Sequence, residues 1–240
     1  MRWRIPATPS LFGVASAVDM RPRNTRSLFF RGLPEGWEED PKQVAAGQRE
    51  RMLEAMARAV AAKGYAKVTV ADVVALANVS RSTFYEQFSD KEDCFLQAYE
   101  EGANAIIREV AVTVARSGAD DWHERIRIGM SRYLEVLAAD PDLARALLVD
   151  VLGAGPRAVA LRRQVFSNFV DLYRPAPNGD RPADVALRNV PEPFLRALVG
   201  GISELVQEHI VTHGAESLPE LTDTLIQLGF ALVDVGRASG

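Results

Sequence analysis

The stretch "TVADVVALANVSRSTFYEQF", Thr69 to Phe88, constrains the fold more than any other part of the chain. Thr69 and Asp72 have the spacing of a capping box, in which each side chain satisfies a backbone N–H at the other's position and so opens a helix. An apolar run follows from Val70 to Ala77, and Asn78 interrupts it. Asn tolerates positive φ better than most residues with a Cβ, so it can make a tight turn. Ser80 then caps a second short helix that extends to about Gln87. Val73, Val79, Phe84 and Phe88 supply apolar positions to hold the second helix on the first.

A longer helix precedes this pair. Asp40-Pro41-Lys42-Gln43 reads as its start, because Asp can cap, Pro fits the first helical position and Gln can reach back. It runs to Lys63, with Gly64 as a positive-φ stop and Gly47 able to break off its first turn. Two short helices joined by a tight turn after a longer one form a helix-turn-helix, whose last helix enters the DNA major groove led by its N-terminal residues. Here those residues are Ser80, Arg81, Ser82 and Thr83. Arg can pair bidentately with guanine O6 and N7, and the Thr methyl can touch a thymine methyl. A solvated surface helix would carry similar residues, but rarely with this turn, these caps and these anchors together.

The stretch "ERMLEAMARAVAAKGYAKVTVADVVALANVSRSTFYEQFSDKEDCF" resembles the DNA-binding domain of the TetR family of transcriptional repressors. The resemblance covers Gln48 to about Tyr99. It rests on Lys63-Gly64-Tyr65, Thr69, Val79-Ser80, Thr83-Phe84-Tyr85, Phe88 and Lys91-Glu92. Asn78 departs from the Gly common in the family. By position, the resemblance implies that Arg81, Ser82, Thr83 and Gln87 face bases and that Thr69, Tyr85 and Lys91 hold phosphates. Lys91 also sits at a helix N-terminus, where backbone N–H groups attract anions. For the rest of the chain the resemblance is one of architecture alone: a helical ligand-binding and dimerisation domain.

Downstream, Ser89-x-x-Glu92 or Asp90-x-x-Asp93 starts a long helix with Phe95, Tyr99, Ile106, Val110 and Val114 on one stripe. Trp122, Ile126, Met130, Tyr133 and Leu137 form a second helix face. Asp140-Pro141 and Gly155-Pro156 open two more helices, the latter with Phe166, Phe169 and Tyr173 turned inward, and "RPAPNGDRPAD" reads as a loop. Tyr99, Ile106, Trp122, Met130, Tyr133, Phe166 and Phe169 are therefore candidates to line an apolar pocket, although such stripes are more often plain core. The last two helices carry unusually wide apolar faces, including Leu198, Gly201, Leu205, Leu221, Leu225, Leu228 and Leu232. A helix this wide in apolar surface must be covered on more than one side. Its second cover is either the chain's own core or a second copy, and the latter makes a homodimer with these residues at its interface. Mid-helix Gly200-Gly201 calls for a compensating close approach.

Residues 1–39 read as a flexible basic arm, 40–92 as the DNA-binding domain and 93–240 as the regulatory and dimerisation domain. "MRWR" and "LFGVASA" have the outline of a secretory signal, but Pro6 and Pro9 precede a minimal apolar run, and Met20 offers a later start. The chain's net charge of −4 conceals a division: +1 over residues 1–41, +3 over 42–91 and −8 over 92–240. A basic front on an acidic body suits an anionic partner at one end, or is ordinary variation between segments. No apolar run approaches the roughly 18 residues of a membrane span. One cysteine, Cys94, excludes an intrachain disulfide framework and fits a cytoplasmic setting. It is either a small buried hydrophobe or, with a lowered pKa, a redox sensor.

His209 and His213 stand four apart but lack an evident third ligand, so no metal site is assigned. No nucleophile elbow, P-loop or dinucleotide fingerprint is present, and neither catalysis nor a cofactor is expected. The expected protein is all-α: a three-helix DNA-binding domain followed by a helical bundle. Its expected function is sequence-specific regulation of transcription, as a repressor released from a near-palindromic operator by a small apolar or amphipathic effector. The alternative is a regulator without such an effector, controlled by a protein partner or by dimerisation alone.

Overall fold

The computed structural model describes residues 41–174 and 182–239, and among them every regular element is helical. The front of the molecule is built from α1 (Pro41–Lys63), α2 (Val70–Ala77) and α3 (Arg81–Gln87). The long α4 (Lys91–Ser117) leads into α5 (Trp122–Ala139), α6 (Pro141–Leu148) and α7 (Pro156–Asp171). After them come α8 (Pro182–Arg188), α9 (Glu192–His213) and α10 (Thr222–Ser239). Short 3₁₀ turns occupy Tyr65–Lys67, Asp150–Gly153 and Ala215–Leu221.

The helix starts follow their caps. The Thr69–Asp72 box forms in both directions: Thr69 N–H donates to Asp72 Oδ2 at 2.7 Å, and Asp72 N–H donates to Thr69 Oγ1 at 3.3 Å. Asn78 has φ 51° and ψ 52°, the left-handed conformation the turn requires. Of the two possible starts for α4, Asp90 is the cap: its carboxylate accepts from Asp93 N–H at 2.8 Å, while Asp93 accepts from Ser89 N–H at 2.9 Å.

Three details differ from the sequence reading. Helix α1 runs unbroken through Gly47, because one glycine costs only about 1 kcal/mol and the helix continues on both sides. Leu221 belongs to the turn before α10 rather than to the helix. Part of the breaker-rich loop is the helix α8, which begins at Pro182, where proline's missing N–H costs no helical bond. The proposed arm, with its signal-like run, and Pro175 to Arg181 of the loop lie outside the described residues.

One continuous apolar cluster runs from Met52 to Val233. In it Met52, Leu53, Met56 and Val60 of α1 have no exposed area and share the cluster with Val73, Phe84, Phe88 and Phe95. Helix α1 also packs on α6, so front and body share a core. Arg49 of α1 bridges Glu101 of α4 at 2.6 Å, and Arg51 Nε donates to the last carbonyl of α2, Ala77 O, at 3.2 Å. At Gly201 a Cβ would come within 3.3 Å of Leu228 Cδ2, so α9 and α10 do approach closely there, whereas Gly200 faces open space.

Candidate nucleic-acid interface and internal cavity

The buried faces of α2 and α3 orient the exposed one. Phe84 and Phe88 are 0% and 1% exposed, and they hold α3 so that Arg81, Ser82 and Tyr85 project into solvent. Thr83 and Gln87 are half-buried. Ser80 is exposed, but its hydroxyl is engaged locally: it accepts from Thr83 N–H at 3.0 Å and shares hydrogen bonds with the Ser82 and Thr83 hydroxyls at 2.7 and 2.8 Å. Thr69 is likewise exposed, with its hydroxyl donating to Asp72 Oδ2 at 2.6 Å. The Arg81 guanidinium lies 5.8 Å from the Tyr85 ring centre.

Lys91 is anchored differently. Its Nζ donates to Tyr65 O at 3.1 Å and sits 4.4 Å from the Tyr65 ring centre, and that ring packs on Phe95 at 4.9 Å. Tyr65 thus holds the ammonium at the start of α4, a role that residue type and spacing alone did not single out. Beside it, Glu92 Oε2 accepts from Arg157 Nη1 of α7 at 3.0 Å. In addition to the packing of α1 on α6, α4 therefore connects the front to the body by continuity and α7 by this ion pair.

Inside the body α4, α5, α7 and α9 enclose a cavity of about 100 Å³. Helix α4 contributes Tyr99, Val110 and Val114; α5 contributes Arg125, Met130 and Tyr133. Arg162, Phe166 and Phe169 come from α7, and Tyr173 lies just beyond it. Tyr133 meets Phe169 edge-on at 5.8 Å between ring centres. Burial pushes the phenols of Tyr99, Tyr133 and Tyr173 well above their ordinary range, so all three remain protonated hydroxyls near neutral pH.

Two expected pocket residues lie elsewhere. Trp122 packs against the last helix, its ring edge-on to Phe230 at 5.7 Å and 5.6 Å from the Arg237 guanidinium. Ile106 is buried but does not line the cavity. It lies within a fraction of a turn of the Tyr99–Val110 stripe, an angle that periodicity does not resolve. Conversely, Arg125, Arg162 and Ser203 line the cavity, and apolar periodicity carries no signal for such polar residues.

The wide apolar helices also divide. Leu198 and Leu225 have no exposed area within a single chain, so they are core residues and not free to meet a second copy. Gly201, Leu205, Leu221, Leu228 and Leu232 remain part-exposed. His209 and His213 stack at 4.7 Å, His209 Nε2 pairs with Ser217 Oγ at 2.8 Å, and no group of three metal-ligating side chains exists among the described residues. Cys94 is buried and burial raises its thiol pKa, the behaviour of a small hydrophobe. No helix among the described residues is long and apolar enough to cross a membrane.

A capped helix pair with an exposed reading face, rooted in a helical body, defines a helix-turn-helix DNA-binding protein. Residues 52–98 match the family of bacterial regulatory proteins called the tetR family. This part of the chain is thus similar to the DNA-binding domain of TetR-family regulators, and the described residues share the helical fold of solved structures from that family. The fatty acid degradation regulator FadR from Bacillus halodurans has the same fold, with a TM-score of 0.64 at 18% identity over 77% of this chain and 97% of that one. FadR from Bacillus subtilis, solved with stearoyl-CoA, gives 0.63 at 16% identity over 76% and 96%. A TetR-family regulator from Syntrophomonas wolfei gives 0.62 at 22% identity over 78% and 94%. No curated protein matches the chain.

Proposed function

We propose that the protein is a homodimeric repressor that leaves a near-palindromic operator when a small apolar or amphipathic molecule occupies the cavity. Residues 40–92 act as the reading head and residues 93–240 as the regulatory and dimerising body. Arg81, Ser82, Thr83 and Gln87 face base edges, while Thr69, Tyr85 and Lys91 hold the backbone. The observation that carries this reading is that α4 both begins at Lys91 and lines the cavity through Tyr99, Val110 and Val114. A ligand favouring one position of α4 changes the separation of two reading heads, and a duplex accepts only certain separations. The Arg157–Glu92 pair gives α7, the other aromatic wall, a second hold on the same spot. The stearoyl-CoA bound by the Bacillus subtilis neighbour supports an amphipathic effector for the fold.

The ligand shifts the equilibrium only as far as it discriminates between the two states. By linkage, it binds the operator complex more weakly than the free protein by the same factor that it weakens operator binding. The test is to isolate the operator by genomic selection of bound fragments, then screen apolar metabolites for joint effects on melting temperature and operator affinity. A compound that raises the melting temperature and releases DNA is the expected result. If stabilising compounds all leave operator affinity unchanged, regulation by a cavity ligand is wrong.

A further inference from the structure

We infer that the cavity selects a compact apolar carboxylate and that Arg162 holds its anionic head, an inference that rests on the cavity being the effector site. Among the described residues the cavity wall carries two guanidinium groups, Arg125 and Arg162, and no Asp, Glu or Lys. Arg162 is half-buried on α7. Its Nη2 donates to Ser203 Oγ at 3.2 Å, and its guanidinium lies 4.8 Å from the Phe166 ring centre, so a hydroxyl on one side and an aromatic face on the other orient it. A guanidinium offers five N–H donors in a planar fork, and this hydrogen bond takes one of them. Arg162 has no carboxylate partner among the described residues.

Sequestering a cation from water without an acceptor is costly, and a planar fork is satisfied best by a carboxylate accepting two parallel bonds. A neutral apolar ligand would strip water from Arg162 and return nothing. A cationic ligand would meet the like charge of Arg162. The wall around Arg162 completes the match. The protonated phenols of Tyr99 and Tyr133 add hydroxyl donors, and Met130 and Phe169 supply apolar surface for the ligand's body. Size narrows the class further. The cavity measures about 100 Å³. An apolar cavity of about 150 Å³ holds a benzene ring. At about two-thirds of that volume, this cavity suits a short chain bearing the acid far better than a long-chain thioester with its nucleotide.

The test uses matched probes on the full chain. Propionate and butyrate are compared by calorimetry with their primary amides, which keep shape and lose charge; stearoyl-CoA is a third arm. Each acid should bind about tenfold or more tightly than its amide, the advantage of hydrogen bonds to charged groups over neutral ones. Arg162→Gln should abolish that preference, bringing acid affinity down to about that of the amide while the protein still melts cooperatively. Arg162→Lys should restore part of it, since charge returns without the fork. Equal affinity for acid and amide, or loss of both in Arg162→Gln with the fold intact, overturns the inference. So does binding of stearoyl-CoA alone, or no binding by either acid. The operator arm separates this from the reading on which it rests: an Arg162-dependent acid preference without any change in operator affinity leaves the cavity assignment standing and removes the repressor-release mechanism.

Discussion

At the residue scale, Arg81 and Lys91 carry like charges in unlike settings. Arg81 is exposed at the head of α3 with the Tyr85 ring beside it, whereas Lys91 is half-buried and already bonded to Tyr65 O. A freely presented fork can discriminate between base edges; a fixed ammonium at a helix start supplies position and charge. Arg81→Ala is expected to relax preference at one base pair at a cost of about 1–3 kcal/mol. Lys91→Ala is expected to weaken all sequences alike and lower the salt dependence by about one ion. Anisotropy across operator variants and salt concentrations checks both, and a change of sequence preference in Lys91→Ala alone would reverse the roles. The same scale explains what sequence reading gets right and what it misses. Ser80, Thr83 and Thr69 were legible because a cap has a fixed spacing to the N–H groups it satisfies. Arg162 was not: its meaning depends on which side chains from other helices surround it, and no spacing along one helix records that.

At the element scale, the start of α2 illustrates how a local motif and a tertiary contact combine. Asp72 completes the capping box and also receives Lys63 of α1 at 2.6 Å. The Lys63 hydrogen bond, followed by those from Thr69, pulls its carboxyl down to about 2. The folded-state value lies below the unfolded one, so the charged form stabilises the fold at pH values above the ordinary carboxylate range. That contribution fades as pH falls from about 4 to about 2. Asp72→Asn should therefore lower the melting temperature at pH 7, with the gap to the parent closing by pH 2. Thermal melts of both proteins over that range decide it: a gap that persists at pH 2 would mean the charge is not its cause. Most element starts, from Pro41 to Pro156, could be read from such motifs. Among those that could not, α8 begins in a run of turn-forming residues, where a proline that opens a helix has the same sequence appearance as one that prevents it.

At the scale of the whole molecule, the open question in the sequence was what covers the last two helices, and part of the answer is the chain itself. Leu198 and Leu225 are interior, so a charge at Leu225 would unfold the chain and say nothing about a partner. Leu228 and Leu232 are the informative positions, part-exposed on α10 beyond the face that meets the core. Leu228→Glu/Leu232→Glu should yield folded monomers by analytical ultracentrifugation and lose specific binding, because two heads must enter grooves about 34–36 Å apart or a multiple of that. Dimers of unchanged stability would place the interface elsewhere. Periodicity shows that a helix face is apolar; the neighbour that covers it is settled only when every other element has been placed.

The single apolar cluster running from α1 into the body bears on how such a protein can be cut and recombined. Helix α1 rests on α6 as well as on α2 and α4, so a front end severed near residue 92 would present a raw apolar flank where α6 and most of α4 had been. A hybrid joining this reading head to a foreign body would have to transplant the facing surface of α6 along with it. Evolution working by exchange of modules meets the same obstacle, and the seam it can reuse here is a packed surface, not a point on the chain.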